Sequence, residues 1–296
     1  MTFDQLRIFL AVAEREHVTR AADFLNLTQS TVSGAITALE ARHNVKLFHR
    51  VGRRIELTDE GRIFADEARA ILAAVRSAET TLADLGGAPR GALSIFASQT
   101  ITSYWLPQYL VGFHKLYPQI DLHLEAGNTA QCVRAVNAGS ADIGFIEGTI
   151  NEPGVCTRLV ARDRLVIVVG ADHPWAKKPP QSPLELVEQQ WVLREKGSGT
   201  RSSFEEALSA HAIQPSQLRV AIELPSNEGI CTAVATGQYP TAVSETVAEA
   251  GVNSGRLVTV PFELPSRAFS LILHRERHQS RACKAFCEML PARESL

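Results

Sequence analysis

The stretch AADFLNLTQSTVSGAITALE, residues 21–40, decides how the start of the chain is read. Two alanines sit in a short helix, Asn26-Leu27 makes a tight turn, and Thr28 stands where a helix N-cap belongs. Val32, Ala35, Ile36 and Leu39 then fall on one face, at the spacing of a buried helical stripe. The outward positions are Gln29, Ser30, Ser33, Gly34 and Thr37, all small or uncharged. Two short helices packed through small residues across a tight turn read as helix-turn-helix. A helix that enters the DNA major groove needs short polar side chains that reach base edges and phosphates without bulk. Gln29 can pair with adenine, and Ser30, Ser33 and Thr37 can bond phosphates or base edges. The plain alternative is a solvated helix face.

The flanking residues favour DNA. Upstream, Thr2-x-x-Gln5 has the pattern of a capping box, and Leu6, Phe9, Leu10 and Ala13 share one apolar face. A second helix is predicted from Thr19 as N-cap to Leu25. Downstream, KLFHRVGRRIELT (residues 46–58) reads as strand, basic tight loop, strand. Arg42, Lys46, Arg50, Arg53 and Arg54 lie in a run without an acidic residue, although the whole chain carries a net charge of only −2. Such a wing sets Arg50, Arg53 and Arg54 against phosphates or a minor groove. Thr58 then caps one long helix whose Phe64, Ala68, Ile71, Val75, Ala78, Leu82 and Leu85 alternate by fours and threes. That is an a/d seam, with nothing in a small domain expected to cover it, so a two-helix dimer through Phe64, Ile71, Val75 and Leu82 is predicted. Gly86-Gly87-Ala88-Pro89 breaks the helix as a hinge.

From Gly91 the pattern changes to alternating strands and helices: ALSIFAS, YWLPQYLVGFHKLYP, IDLHLEA, TAQCVRAVNAG and ADIGFIEG, then a second block from RLVIVVG through WVLREK, RVAIEL and RLVTV to FSLILHR. This implies a mostly parallel α/β sheet in two subdomains, with crossings near residues 161 and 265. The resulting division is a DNA-binding domain at 1–58, a linker helix at 59–85, a hinge at 86–91 and a ligand-binding domain at 92–296. Within the last, 92–161 and 265–296 form one subdomain and 162–264 the other. The start has no charged-then-apolar leader pattern and no apolar run approaches a membrane span, so a cytoplasmic setting without membrane contact is expected. Five scattered cysteines without a C-x-x-C suggest reduced thiols, with Cys132 and Cys231 the candidates for a redox-sensing alternative. No cofactor or metal motif is present, and the absence of P-loop, H-E-x-x-H and G-x-S-x-G patterns argues against an enzyme carrying an added DNA-binding domain.

VTRAADFLNLTQSTVSGAITALEARHNVKLFHRVGRRIELTDEG resembles the winged helix-turn-helix of the LysR-type transcriptional regulators, and the resemblance extends over the whole chain. It implies a winged helix-turn-helix, a long linker helix and a two-subdomain effector domain like periplasmic binding proteins. It also implies a dimer of dimers on promoter double-stranded DNA, switched by a small inducer, with RNA polymerase as a further partner. Arg20, Gln29, Ser30, Ser33, Thr37, Arg53 and Arg54 match positions where the family contacts DNA. Ser30 and Gly34 depart from the family's frequent proline and large residue, and TGQYPTAVSE departs from its usual glycine-rich turn.

Three helix starts are candidates to face a ligand: Ser98-Gln99-Thr100, Asn128-Thr129, and Ser198-Gly199-Thr200-Arg201 after Gly197, with Glu147 added from the ADIGFIEG strand end. In open α/β sheets ligands sit at the carboxyl ends of strands, and helix N-termini favour anions. Arg201 is placed to add a bidentate charge. WVLREKGSGTR also resembles the family branch of cysteine-biosynthesis, sulfite-response and carbon-fixation regulators, which implies a small oxyanion such as sulfite or sulfate, and next a phosphorylated or carboxylated metabolite.

Overall fold

The computed structural model describes residues 1–52, 54–85 and 91–291. Arg53 and most of the expected hinge, residues 86–90, lie outside the described residues. The chain forms two compact units, Met1–Gly86 with Ala138–Ser140 and Gly87–Asn137 with Ala141–Leu296.

In the first unit, α1 (Phe3–Arg15) opens on the expected capping box, with Thr2 Oγ1 accepting from Gln5 N–H at 3.2 Å and Gln5 Oε1 accepting from Thr2 N–H at 3.0 Å. Helix α2 (Val18–Leu25) starts one residue earlier than the predicted Thr19 cap, with His17 at the cap position. Asn26 turns the chain in the left-handed region at φ 54°, a conformation asparagine tolerates, and Thr28 caps α3 (Gln29–His43) by accepting from Thr31 N–H at 3.2 Å. Ala21, Ala22 and Val32 close the helix pair onto Ile8, Ala11 and Val12 of α1. Strands β1 (Phe48–Val51) and β2 (Arg54–Leu57) pair antiparallel as the wing.

The wing is tied down by a residue the sequence reading passed over. Glu40, in α3, is buried and accepts from Leu47 N–H at 2.9 Å, Phe48 N–H at 3.2 Å and Lys46 Nζ at 2.8 Å. Burial pushes its pKa up, but these donors outweigh burial and hold it below 4.5.

Thr58 Oγ1 caps α4 (Asp59–Leu85) by accepting from Gly61 N–H at 2.9 Å. The seam on α4 corrects one expectation. Leu6, Phe9 and Leu10 of α1 pack on Phe64, Ala65, Ala68, Ile71 and Leu72, and the Phe9 and Phe64 rings lie 4.8 Å apart. Phe64 and Ile71 are therefore half-covered by α1 of their own unit, which supplies part of the apolar cover that a second chain was expected to provide. Leu82 remains 70% exposed.

The second unit contains β3 (Gly91–Ser98), a π-helical turn (Ile101–Trp105), α5 (Pro107–Leu116), β4 (Ile120–Gly127), α6 (Thr129–Ala138), β5 (Ile143–Glu147) and β6 (Val155–Gly170). It continues with α7 (Leu184–Glu188), β7 (Gln190–Arg194), α8 (Gly199–Ser209), β8 (Arg219–Leu224), α9 (Asn227–Val234), β9 (Thr241–Ser244), α10 (Glu245–Asn253), β10 (Leu257–Val260), β11 (Ser266–His274) and α11 (Arg281–Met289). The main sheet runs β10-β6-β11-β5-β3-β4, with β9 also on β6. It is mixed rather than mostly parallel: β3 runs parallel to β4 and β5, whereas β6 and β11 run antiparallel to every neighbour. The cause is β6, which the sequence reading divided at about residue 161. It is one strand of 16 residues, pairing with β11 through its first part and with β9 and β10 through Leu165–Gly170. Leu165, Ile167 and Val169 pack into one core with Trp191 and Phe204, while Val166 and Val168 pack into another with Ile230 and Val243. Period-two burial on both faces makes this strand the spine of the second half.

Replacing Glu40 with alanine strands the Leu47 and Phe48 amides, at a cost of roughly 1–3 kcal/mol. Calorimetry is expected to show a lower melting temperature for the first unit and an unchanged transition for the second; an unaltered first transition would remove the anchoring role.

Candidate functional site

On the first unit the candidate DNA residues share exposure. Gln29, Ser30, Ser33 and Thr37 are exposed on α3, Arg20 on α2, and Arg50 and Arg54 on the wing. Ser30 Oγ lies 2.9 Å from Thr28 Oγ1, so its hydroxyl is partly engaged in the cap. A Cβ built on Gly34 meets nothing within 4 Å, so packing within the unit does not call for this glycine.

On the second unit the three helix starts converge on one residue, two of them on its carboxylate and Thr129 on its backbone carbonyl. Glu147 ends β5, is 3% exposed, and its Oε1 accepts from Ser98 Oγ at 2.9 Å. Its Oε2 accepts from Thr200 Oγ1 at 2.8 Å and from Arg267 Nη1 at 2.6 Å. Gly199 permits this closeness: a Cβ there would lie 2.6 Å from both the Glu147 carbonyl oxygen and Thr129 Oγ1. Thr100 is oriented by Asn227, whose Nδ2 donates to its Oγ1 at 3.1 Å. Gln99 donates to the Pro225 carbonyl at 2.7 Å, and Asn128 donates to Glu195 at 3.1 Å while capping α6 through Gln131 N–H. Ser198 is buried at the start of α8 and makes no side-chain cap bond. The facing loops of the two halves are thus joined by direct hydrogen bonds.

Burial raises the Glu147 pKa, but Arg267 and then the hydroxyls of Thr100, Thr200 and Ser98 hold it below 4.5. The carboxylate stays ionised because every lone pair faces a donor.

The cation of this site is not the one expected. Arg201 donates through Nε to Glu205 at 2.8 Å and through Nη1 to the Arg194 carbonyl at 3.1 Å, and it pairs with Glu223, so its donors are spent on two carboxylates within its own half. Arg267 takes the place proposed for it. Its Nε donates to Asp163 at 2.7 Å, its Nη2 makes an ion contact to the same oxygen at 2.7 Å, and Ser244 Oγ donates to the other Asp163 oxygen at 2.7 Å. Arg267 and Asp163 are register partners on β11 and β6. Arg194 and Asn227 complete the arrangement, with Arg194 Nη1 donating to Asn227 Oδ1 at 2.7 Å. Arg267, Asp163, Asn227 and Arg194 carried no signal in the sequence: no motif marks them, and Arg267 meets Asp163 and Glu147, and Arg194 meets Asn227, across long stretches of chain.

The two candidate thiols fare differently from the redox alternative. Cys132 is fully buried, donates to the Phe96 carbonyl at 3.2 Å, and burial pushes its pKa to about 12. Burial pushes Cys231 to about 11. Both shifts disfavour the thiolate, the form in which a thiol reacts.

A helix-turn-helix with a wing, followed by an α/β unit with a polar cleft at its strand ends, is the build of a transcriptional regulator with a small-molecule effector-binding domain. Residues 3–62 match the family model for the bacterial regulatory helix-turn-helix protein, lysR family, and residues 86–294 match the LysR substrate binding domain. The chain belongs to the LysR family. It is 33% identical over 290 residues to the uncharacterized HTH-type transcriptional regulator YeiE of Escherichia coli strain K12, covering 97% of this chain and 96% of the relative. It is 33% identical over 247 residues to the HTH-type transcriptional regulator CysL of Bacillus subtilis, covering 83% and 82%. Among solved structures, full-length CbnR complexed with its target DNA superposes with a TM-score of 0.69 at 22% identity, covering 98% of this chain and 99% of that one. The Synechocystis CcmR regulatory domain in complex with 2-PG superposes with a TM-score of 0.60 at 24% identity, covering 67% of this chain and 95% of that one.

Because the folded-state pKa of Glu147 lies below 4.5, its ion pair contributes fully above that pH and is lost as pH falls through the lowered value. Glu147→Gln is expected to flatten the acid limb of the stability curve, measured by denaturant unfolding between pH 7 and pH 3. An acid limb as steep as the wild type's would show that another carboxylate dominates it.

Proposed function

We propose that this regulator reads promoter DNA with α3 and the wing and is switched by a small oxyanion bound in the cleft of its second unit. One observation carries the effector assignment. Ser98, Thr100, Thr200 and Arg267 form a buried cradle around a carboxylate, so the donors are arranged for an oxyanion of two or three acceptor oxygens. Glu147 stands in for the chemistry of the ligand. Sulfite or sulfate fits that size first, and a phosphorylated or carboxylated metabolite second; the name of CysL and the 2-PG complex of the CcmR domain support those two classes respectively. Gln99, Asn128, Thr129, Ser198 and Gly199 shape the cleft, whereas Arg201 acts as a brace for α8.

On the DNA side, Gln29, Ser33 and Thr37 read base edges, Ser30 meets phosphate, and Arg20, Arg50, Arg53 and Arg54 neutralise phosphates. The CbnR complex, whose protein has this fold, supports this placement. The assembly is a cytoplasmic dimer of dimers that engages RNA polymerase, and exposed Leu82, with Val75, remains the candidate seam for a second copy.

The test is fluorescence anisotropy of a promoter fragment titrated with sulfite, sulfate and a phosphorylated carboxylic acid. One of them is expected to shift wild-type promoter affinity, and Thr100→Ala to weaken that anion's half-point by about tenfold, the scale of one charge-assisted hydrogen bond, with ligand-free promoter affinity unchanged. A response to none of the three would overturn the oxyanion assignment.

A further inference from the structure

The groups suited to an anionic effector already hold an anion of the chain's own. Beside that anion lies an empty space. A cavity of about 450 Å³ opens between α6, the loop after β5 and α8, and Glu147, Arg134 and Ser203 form part of its wall. Ser203 is 7% exposed, and its Oγ has no hydrogen-bond partner. The backbone after Glu147 passes directly beside it: a Cβ on Gly148, whose φ is 78°, would lie 3.0 Å from Ser203 Oγ. Arg134 is exposed on α6 at the same cavity. Glu147 therefore borders two sets of donors, a cradle it fills and a second set that nothing fills.

We propose that Glu147 is a resident surrogate ligand, which an incoming oxyanion replaces on Ser98, Thr200 and Arg267, while the displaced carboxylate turns into the adjoining cavity toward Ser203 and Arg134. This rests on the oxyanion reading of the cleft. Charge makes the event an exchange. Arg267, Asp163 and Glu147 together hold one positive and two negative charges out of water. A further anion added to them would be a buried charge without a partner, which costs several kcal/mol or more. Exchange puts the oxyanion where a carboxylate already sits on Arg267, so the cradle gains at most one negative charge, for sulfate, instead of the oxyanion's whole charge on top of Glu147. The ligand gains control of the fold only through its different affinity for the two arrangements. Arg267 sits on β11 and its partner Asp163 on β6, the strand that pairs with β11 and then continues to β9 and β10, so the exchanged anion is held by a cation rooted in the spine of the unit.

Isothermal titration of the full chain with sulfate and with sulfite separates this proposal from the reading it rests on. Glu147→Gln keeps the side-chain shape and removes the competing charge, so anion affinity is expected to rise about tenfold or more, the scale of one hydrogen bond to a charged group. Ser203→Ala removes the receiving hydroxyl and is expected to weaken wild-type affinity by about threefold or more while leaving the Glu147→Gln background unchanged, which is the coupling a double-mutant cycle reads. If the wild type binds an anion and Glu147→Gln binds it equally or more weakly, the exchange is wrong and the oxyanion reading stands. If Glu147→Gln does not fold, Ser203→Ala alone decides, and unchanged affinity there overturns the exchange. Absence of heat from wild type and both variants with both anions removes sulfite and sulfate as the ligand and overturns the exchange with them.

Discussion

The guanidinium of Arg267, held between Asp163 and Glu147 at 4% exposure, is the contact on which the second unit turns. Removing one partner of a buried cation held between two carboxylates leaves charge in a low-dielectric interior. Here Ser98, Thr200 and Ser244 meet the remaining oxygens. The cluster joins the end of β5, the start of α8 and the paired strands β6 and β11, four segments far apart in the chain. Their side chains set the chemistry of the cleft, so the same groups that hold the fold define what the cleft can bind.

The first unit works by a different economy. Its helix pair is assembled from Ala21, Ala22 and Val32 against α1, small residues that allow close approach and leave α3 free to present Gln29, Ser33 and Thr37 outward. Glu40 then fixes the wing to the same helix through two backbone amides. A buried carboxylate with a lowered pKa thus organises each unit, Glu40 in one and Glu147 in the other, and in each a cation, Lys46 or Arg267, joined by backbone amides or hydroxyls keeps it ionised.

Local chemistry made much of this legible. The Thr2 capping box, the Thr28 and Thr58 caps, the turn at Asn26 and the wing all follow from side chains acting on backbone within a few residues, and they are found where the sequence puts them. What was illegible is long-range. The a/d pattern on α4 is real, but periodicity names an apolar face without naming its partner, and α1 half-covers Phe64 and Ile71. Only RLVIVVG of β6 was legible as a strand, because VCTRLVARD before it carries several polar residues and a sequence does not show where a strand changes partners. Arg201 stood next to the right helix start, but Glu205, four residues on, and Glu223 claim its guanidinium. Arg267, the cation of the cleft, lies near the start of a mainly apolar strand, with no local sign of its role.

The most direct measurement of the account is the electron density of the second unit crystallised with sulfite or sulfate. The account predicts a pyramidal or tetrahedral oxyanion within hydrogen-bond distance of Ser98, Thr200 and Arg267, with the Glu147 side chain moved out of the cradle. A cradle still filled by Glu147, with the anion bound elsewhere in the unit, would contradict it.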